Sequence, residues 1–399
     1  MSNLRIAYLS HTYPPVLSGV STVVHNLAEG MPSLGHECMA IVSSDIGKPY
    51  QEHGQVDVLR LRSFPTPKPI DYRFMPFPSR KISQELAQFD PDIVHVHDPI
   101  LARLAVKIKI EQEPSWPLIY SVHLQPGAVI PHIPDILGFR DFLENVMIKY
   151  GRQLIDCCQA IISPSVFLAG YIREQTGNDV HVISNGVDTD HFKPSPTSPV
   201  EPLHLREKYH LHPTLPILLS VGRLSEEKNL DIVLRTAAIV MQQTEAQLVV
   251  VGDGNTREDL QSLADDLGIG EKTTFTGPIE REVDLPGMFR LAEVFLMASE
   301  VEAQGLVVLE ALATGIPVVA VRASAIPELV TDGSNGFLVP PQDPGAMADK
   351  VHALLNDKEL AGEIRINARE SIRHHSLDTT LILHQNLYHS VLEKALIKT

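Results

Sequence analysis

The sequence predicts two doubly wound α/β domains in tandem, on three observations. Short apolar runs alternate with amphipathic helical stretches along almost the whole chain, the pattern of parallel strands covered on both faces. Between Lys193 and Pro202 the alternation gives way to prolines mixed with Ser and Thr, a linker composition. The length, 399 residues, is generous for one core and comfortable for two.

In the first half, residues 4–10 form the opening strand pattern. A turn carrying Pro14, Pro15 and Gly19 follows, then a helix to about Leu34 that Gly35 stops. Residues 38–43, 56–61, 92–97 and 118–123 read as further strands. A long helical pattern over about 139–157 precedes strands at 160–163 and 180–183. Alternation restarts at 217–222 and continues through 247–251, 273–276, 294–298, 317–321 and 337–339, with helix from about 344 to the end. The expected domains are therefore 1–190 and 205–375, joined by a linker at 191–204. A final helix at 376–399 is expected to return to the first domain. Ligands of such sheets sit at the carboxyl ends of strands. Two facing domains imply a site in the cleft between them.

Composition excludes several classes. The net charge of −16, concentrated after residue 180, is unsuited to nucleic acid. Cys38, Cys157 and Cys158 suggest a reducing, cytoplasmic setting rather than a disulfide scaffold. No leader-like segment is read at the start, and no apolar run reaches the roughly 20 residues of a spanning helix. One stretch runs against the acidic trend: Arg60 to Lys81 holds Arg62, Lys68, Arg73 and Arg80 against a single acid, Asp71. With Phe64, Tyr72, Phe74 and Phe77 among prolines, it is expected either to dock on an anionic membrane surface or to be a Pro-rich loop with a few buried rings.

The chemistry concentrates around residues 299–320. A strand pattern ends near Ala298, and a short helix that includes Glu310 follows Gly305. Gly315 and Pro317 end it before the next strand. A helix start just after a strand offers free N–H groups and a positive dipole end to an anion. Glu302 and Glu310 repel phosphate but accept hydrogen bonds from hydroxyls on either side of it. Phosphate flanked by polyols describes a nucleotide-sugar. Arg223 and Lys228, in the loop opened by Gly222, are placed to clamp a diphosphate and its charge as a leaving group. Gly252, Gly277 and Gly19 mark further strand-end turns, none with the spacing of a dinucleotide fingerprint or a P-loop.

Taken in order, these motifs resemble glycosyltransferase family 4, retaining enzymes of GT-B fold with two Rossmann-like domains facing a cleft. The resemblance covers nearly the whole chain. It rests on the turn from Pro15 to Gly19, on Asp92-Ile93-Val94-His95-Val96-His97 and on Ser121-Val122-His123. It continues in Ser184-Asn185-Gly186-Val187-Asp188 with Phe192, in Gly222 to Asn229, and in Glu302 to Glu310 followed by Ala311-Leu312-Ala313-Thr314-Gly315-Ile316-Pro317. It implies that Gly19 backbone touches the donor diphosphate, that Arg223 and Lys228 neutralise it, and that His123 contacts the donor sugar. It further implies that Glu302 holds sugar hydroxyls, Glu310 the ribose diol, and the N–H groups of Gly305, Leu306 and Val307 a phosphate. Ile279 would lie by the base, and Gly252 would border the donor.

One departure is informative. Where the family often has Glu-Gly-Phe-Gly, this chain has Glu302-Ala303-Gln304-Gly305. With the basic and aromatic stretch, Gln304 looks more like the subgroup acting on diacylglycerol or related lipids. The expectation is a metal-independent hexosyltransferase that uses UDP-glucose or a similar donor and a lipid acceptor. No cofactor is implied, the nucleotide-sugar being a substrate. A peripheral place on the cytoplasmic membrane face would follow.

The same residues admit other readings. A soluble sugar or polysaccharide could be the acceptor, and a nucleotide-sugar epimerase or a non-catalytic sensor would also need a donor site. His95 and His97, with Asp98, have the look of a metal pair, but the two-domain pattern argues against the single barrel such sites need. Asp90-Pro91-Asp92 and Asp188-Thr189-Asp190 read as turn residues rather than metal ligands.

Overall fold

The computed structural model describes residues 3–397 apart from 17, 66–72, 76–77, 124–148, 150 and 196–200. Most of the long helical pattern over 139–157, and with it Lys68, Asp71, Tyr72 and Phe77, lies outside the described residues. The chain divides into two compact units. One is Met1–Asn185 with Asp378–Thr399, the other Gly186–Leu377.

The first unit is built on an eight-stranded sheet. Its strands are β1 (Arg5–Ser10), β2 (Glu37–Ser43), β3 (Tyr50–Glu52), β4 (Asp57–Leu61), β7 (Ile93–Val96), β8 (Leu118–Ser121), β9 (Ala160–Ser163) and β10 (His181–Val182), while β5 (Phe64–Pro65) and β6 (Arg73–Phe74) form a separate ribbon. The order is β10-β9-β8-β7-β1-β2-β4-β3, and every described pairing in it is parallel except β3 on β4. Parallel pairing demands cover on both faces, which is why Ile6, Ala7, Tyr8 and Leu9 are all fully buried. The helix Gly19–Gly30 carries the chain from β1 to β2, and Pro99–Gln112 carries it from β7 to β8. The last helix, Leu377–Ile397, packs on this unit. Its Leu381 lies so close to Gly30 that a Cβ there would stand 2.6 Å from it. Tyr388 is fully buried beneath the sheet residues Tyr8 and His95 and within hydrogen-bond distance of both.

The second unit has six strands: β11 (Ile217–Val221), β12 (Gln247–Val251), β13 (Thr273–Gly277), β14 (Val294–Met297), β15 (Val318–Val321) and β16 (Gly336–Val339). All pair in parallel, in the order β13-β12-β11-β14-β15-β16. Successive strand residues feed opposite cores. Leu219, Val249 and Phe295 join Met288, Phe289, Leu309 and Leu312 on one face. Leu218, Leu248 and Leu296 join Val233, Val351 and Leu354 on the other.

The units divide at Asn185/Gly186, before the composition-defined stretch 191–204. The cause is packing. Val187 exchanges backbone hydrogen bonds with His375 and Leu377, and Phe192, 2% exposed, sits in the second unit's core against Phe289. A helix, Glu201–Lys208, already begins inside the Pro-rich region. Lys208 and Tyr209 both bind Asp284 at 2.6 Å.

Candidate active site

Numbered along the chain, the second sheet has the order 3-2-1-4-5-6, so the crossovers change direction between β11 and β14. At such a switch point the loops leaving the two strands part, and ligands of open α/β sheets bind beyond the carboxyl ends. The loop after β11 carries Arg223 and Lys228, and the loop after β14 carries Glu302, Gln304 and Gly305.

Side chains tie the two loops together. Lys228 Nζ lies 2.6 Å from a Glu302 oxygen, both half-buried, at 27% and 13% exposure. Asn229, in the left-handed conformation at φ 47°, donates from Nδ2 to the carbonyl of Ala298 and to Glu300. Arg223 is exposed and forms no ion pair among the described residues. The ammonium is therefore oriented and the guanidinium left to reach outward.

Three strand-end turns interlock beside these loops. Gly222 N–H donates to Val251 and Gly252 N–H to Gly277, both at 3.0 Å. A Cβ on Gly252 would lie 1.9 Å from the Gly222 carbonyl, and one on Gly254 would lie 2.0 Å from that of Leu224. Glycine at 252 is thus required by neighbouring backbone, whatever else approaches it. Ile279, just past β13, is 8% exposed and packs into the core, so only its backbone is offered to a ligand.

After β14, Gly305 takes φ 94° and turns the chain into the helix Leu306–Thr314. The first helix-type donor is Val308, to the Gly305 carbonyl at 3.0 Å, which leaves the N–H groups of Leu306 and Val307 ahead of the intrahelical ladder. Gly315 closes the helix in the left-handed conformation. Glu310, 1% exposed, projects from this helix onto the guanidinium of Arg281. Its Oε2 is buried and has no partner among the described residues. Burial pushes its pKa up, and Arg281 opposes that rise. A buried carboxylate with one oxygen paired and the other bare is equipped to accept a hydroxyl.

In the first unit, Gly19, His97 and His123 follow β1, β7 and β8, neighbours in the sheet. Ser18 caps the helix at Gly19, its hydroxyl accepting from Ser21 N–H at 3.1 Å. His123 Nε2 lies 2.9 Å from His97 Nδ1, and burial drives the His123 pKa down to about 4. Asp98 accepts from the N–H groups of Ile100 and Leu101 and lies 2.9 Å from His11 Nδ1. Burial acts to lower the His11 pKa, but Asp98 wins and raises it.

Family models match the chain in two pieces: Glycosyltransferase Family 4 over residues 17–191 and Glycosyl transferases group 1 over residues 204–371. The chain is 29% identical over 379 residues to Sulfoquinovosyl transferase SQD2 of Arabidopsis thaliana, covering 92% of this chain and 69% of that one. It is 28% identical to Alpha-monoglucosyldiacylglycerol synthase of Streptococcus pneumoniae, over 84% and 75% of the two chains. This chain is a GT-B glycosyltransferase of the family 4 type. The fold agrees with that of Anabaena HepE in complex with UDP-glucose, with a TM-score of 0.77 at 19% identity over 97% of this chain and all of that one.

Of the residues singled out in its sequence, the transferase gathers Arg223, Lys228, Gly252, Ile279, Glu302, Gln304, Gly305, Leu306, Val307 and Glu310 at the strand ends of the second unit. Gly19 and His123 stand at the strand ends of the first. Gln304 is buried, at 3% exposure. The Asp triplets are turn residues. Asp92 accepts from Arg5 N–H, and Asp188 from the N–H groups of Asp190 and His191. His95 commits both ring nitrogens, to Tyr388 and Ser121, each at 2.8 Å.

Arg60 departs from its expected role at a membrane surface. It is 3% exposed, bound to Glu52 and Pro14 and near Asp45, because the glutamate and the carbonyl compensate its charge inside the fold. Arg281 is not singled out by the sequence, and Asn229 enters there only as the end of the Gly222 motif, with no partner assigned. Their partners Glu310 and Ala298 lie 29 and 69 residues away, and no spacing rule spans that distance.

Proposed function

We propose that this glycosyltransferase moves a hexose, glucose first among the candidates, from a UDP-sugar to a lipid acceptor such as diacylglycerol, with retention at the anomeric carbon. The observation that carries the reading is the grouping, at one switch point, of two cations, two carboxylates and an open helix start. Arg223 and Lys228 would take up the charge of the leaving diphosphate without help from a metal ion. The N–H groups of Leu306 and Val307 would hold a phosphate, as would the backbone at Gly19. Glu302 would hold sugar hydroxyls, Glu310 through Oε2 the ribose, and the Ile279 backbone the base. His123 would donate to a sugar hydroxyl. The departing diphosphate helps to deprotonate the acceptor, so attack and departure share one face of the sugar.

The lipid acceptor is supported by the name of the Streptococcus pneumoniae relative, a monoglucosyldiacylglycerol synthase, and by Gln304 in the 302–305 motif. Exposed Arg62, Phe64 and Arg80 support docking on an anionic membrane through the part of the basic stretch that excludes Arg60. Incubation with UDP-glucose, with and without diacylglycerol, tests the whole. An α-glucolipid formed only when lipid is present is the expected result. Isomerised UDP-sugar without lipid would replace transfer by epimerisation, and binding without turnover would make the protein a sensor.

A further inference from the structure

The first unit carries a row of histidines at the ends of adjacent strands, His95 and His97 buried and His123 half-buried. His95 belongs to β7, His97 follows it, and His123 follows β8. His97 is 2% exposed and packs near two rings, that of His95, 4.2 Å away between centroids, and that of Tyr8 at 6.0 Å. Its ring and that of His123 are within 12° of parallel with centroids 5.2 Å apart, and Nδ1 of one is 2.9 Å from Nε2 of the other. That is the separation of two imidazoles joined edge to edge by one hydrogen bond. The far nitrogen of His97, Nε2, is buried and has no partner among the described residues.

These contacts decide which ring donates. If His123 gave its Nε2–H to His97, the His97 proton would have to sit on Nε2, a buried N–H with no acceptor among the described residues. If His97 donates from Nδ1, only a lone pair is left unsatisfied at Nε2, the lesser cost. We propose that His97 is a positioning residue for sugar transfer: it fixes His123 as the Nδ1–H tautomer, so that His123 presents an uncharged donor to the donor sugar. This rests on the reading that His123 meets that sugar.

The tautomer matters because a neutral imidazole has one donor and one acceptor. With Nε2 occupied by His97, the free edge of His123 is an N–H, suited to a sugar hydroxyl oxygen. Burial and the neighbouring His384 hold His123 uncharged, with Asp98 opposing them. A neutral donor adds no positive charge beside an oxocarbenium-like centre, whereas an imidazolium would raise its energy.

Full-length protein labelled with ¹⁵N-histidine tests this directly, with the His123 signals identified by their loss in His123→Gln. The expected spectrum shows His123 protonated at Nδ1 and bare at Nε2, with His97 protonated at Nδ1. In kinetics, His97→Leu is expected to lower kcat roughly ten- to a hundredfold. His97→Asn keeps an amide N–H near the place of Nδ1 and should recover most of that loss, as His97→Gln should not. A proton on His123 Nε2, or a His97→Leu enzyme with undiminished kcat, overturns the inference. A His123→Gln enzyme with unchanged kcat and KM overturns instead the sugar contact on which it rests.

Discussion

At the residue scale, the site reads as charges held ready by one another. Lys228 is steadied by Glu302, while Arg223 reaches outward unpaired among the described residues. Removing either cation should therefore strike the leaving group more than binding. Arg223→Ala and Lys228→Ala are each expected to lower kcat by about 10²–10³-fold, measured as UDP release under saturating donor. Arg281 acts differently. Without its guanidinium, burial would favour the protonated form of Glu310, which then loses an acceptor site. Arg281→Ala should raise the donor KM by roughly tenfold with a smaller change in kcat, and an unchanged KM would remove the ribose role of Glu310. The strand-end loops that carry Glu302 and Lys228, and the short helix that carries Glu310, were legible in the sequence because contiguous runs punctuated by glycines mark them. The reason for Gly252 was not legible, since its cause is the carbonyl of Gly222, thirty positions earlier and on a neighbouring strand.

At the scale of elements, apolar runs located the strands well, because parallel strands buried on both faces leave little room for polar residues. Helix boundaries and the ends of domains were harder. Proline-rich composition near 193–202 marked a surface segment, yet Phe192 and the helix Glu201–Lys208 serve the second unit. Nor did the pattern of the last helix reveal what Tyr388 does. It joins Tyr8 and His95 in a buried polar group, 380 and 293 residues away in sequence. Tyr388→Phe keeps the ring and removes the hydroxyl, so His95 Nδ1 loses its partner. Urea denaturation should show a loss of about 1–3 kcal/mol, and no change in midpoint would mean that another group satisfies His95.

For the whole molecule, protonation is the governing variable. Burial lowers the pKa of His95, His97, His123 and His384, to about 4 for the last two. Below about pH 6.5 the unfolded chain takes up protons that the native state refuses. Stability should accordingly fall as pH drops from about 6.5 towards 4, seen as a declining urea midpoint. Replacing His384 by Leu should flatten that decline. An acidic protein of net charge −16 should also be repelled by anionic lipid unless a local basic patch overrides the repulsion. Sedimentation with anionic vesicles, reversed by high salt and weakened in Arg62→Glu/Arg80→Glu, is the expected sign of such a patch.

Because the first unit takes up the polypeptide again at Asp378, the second is a continuous insertion, entered at Gly186 and left at Leu377, whereas the first is assembled from both ends of the chain. Val187 pairs its backbone with His375 and Leu377, so the entry and exit strands of the insertion are already clasped. A fragment spanning 186–377 therefore starts and stops at adjoining points, and circular permutation across that clasp would keep Arg223, Lys228, Glu310 and Ile279 on one uninterrupted piece, with Gly19 left to the first unit. Cutting the chain at Leu377 costs the first unit more: it removes Tyr388 and strips His95 of one of its two anchors.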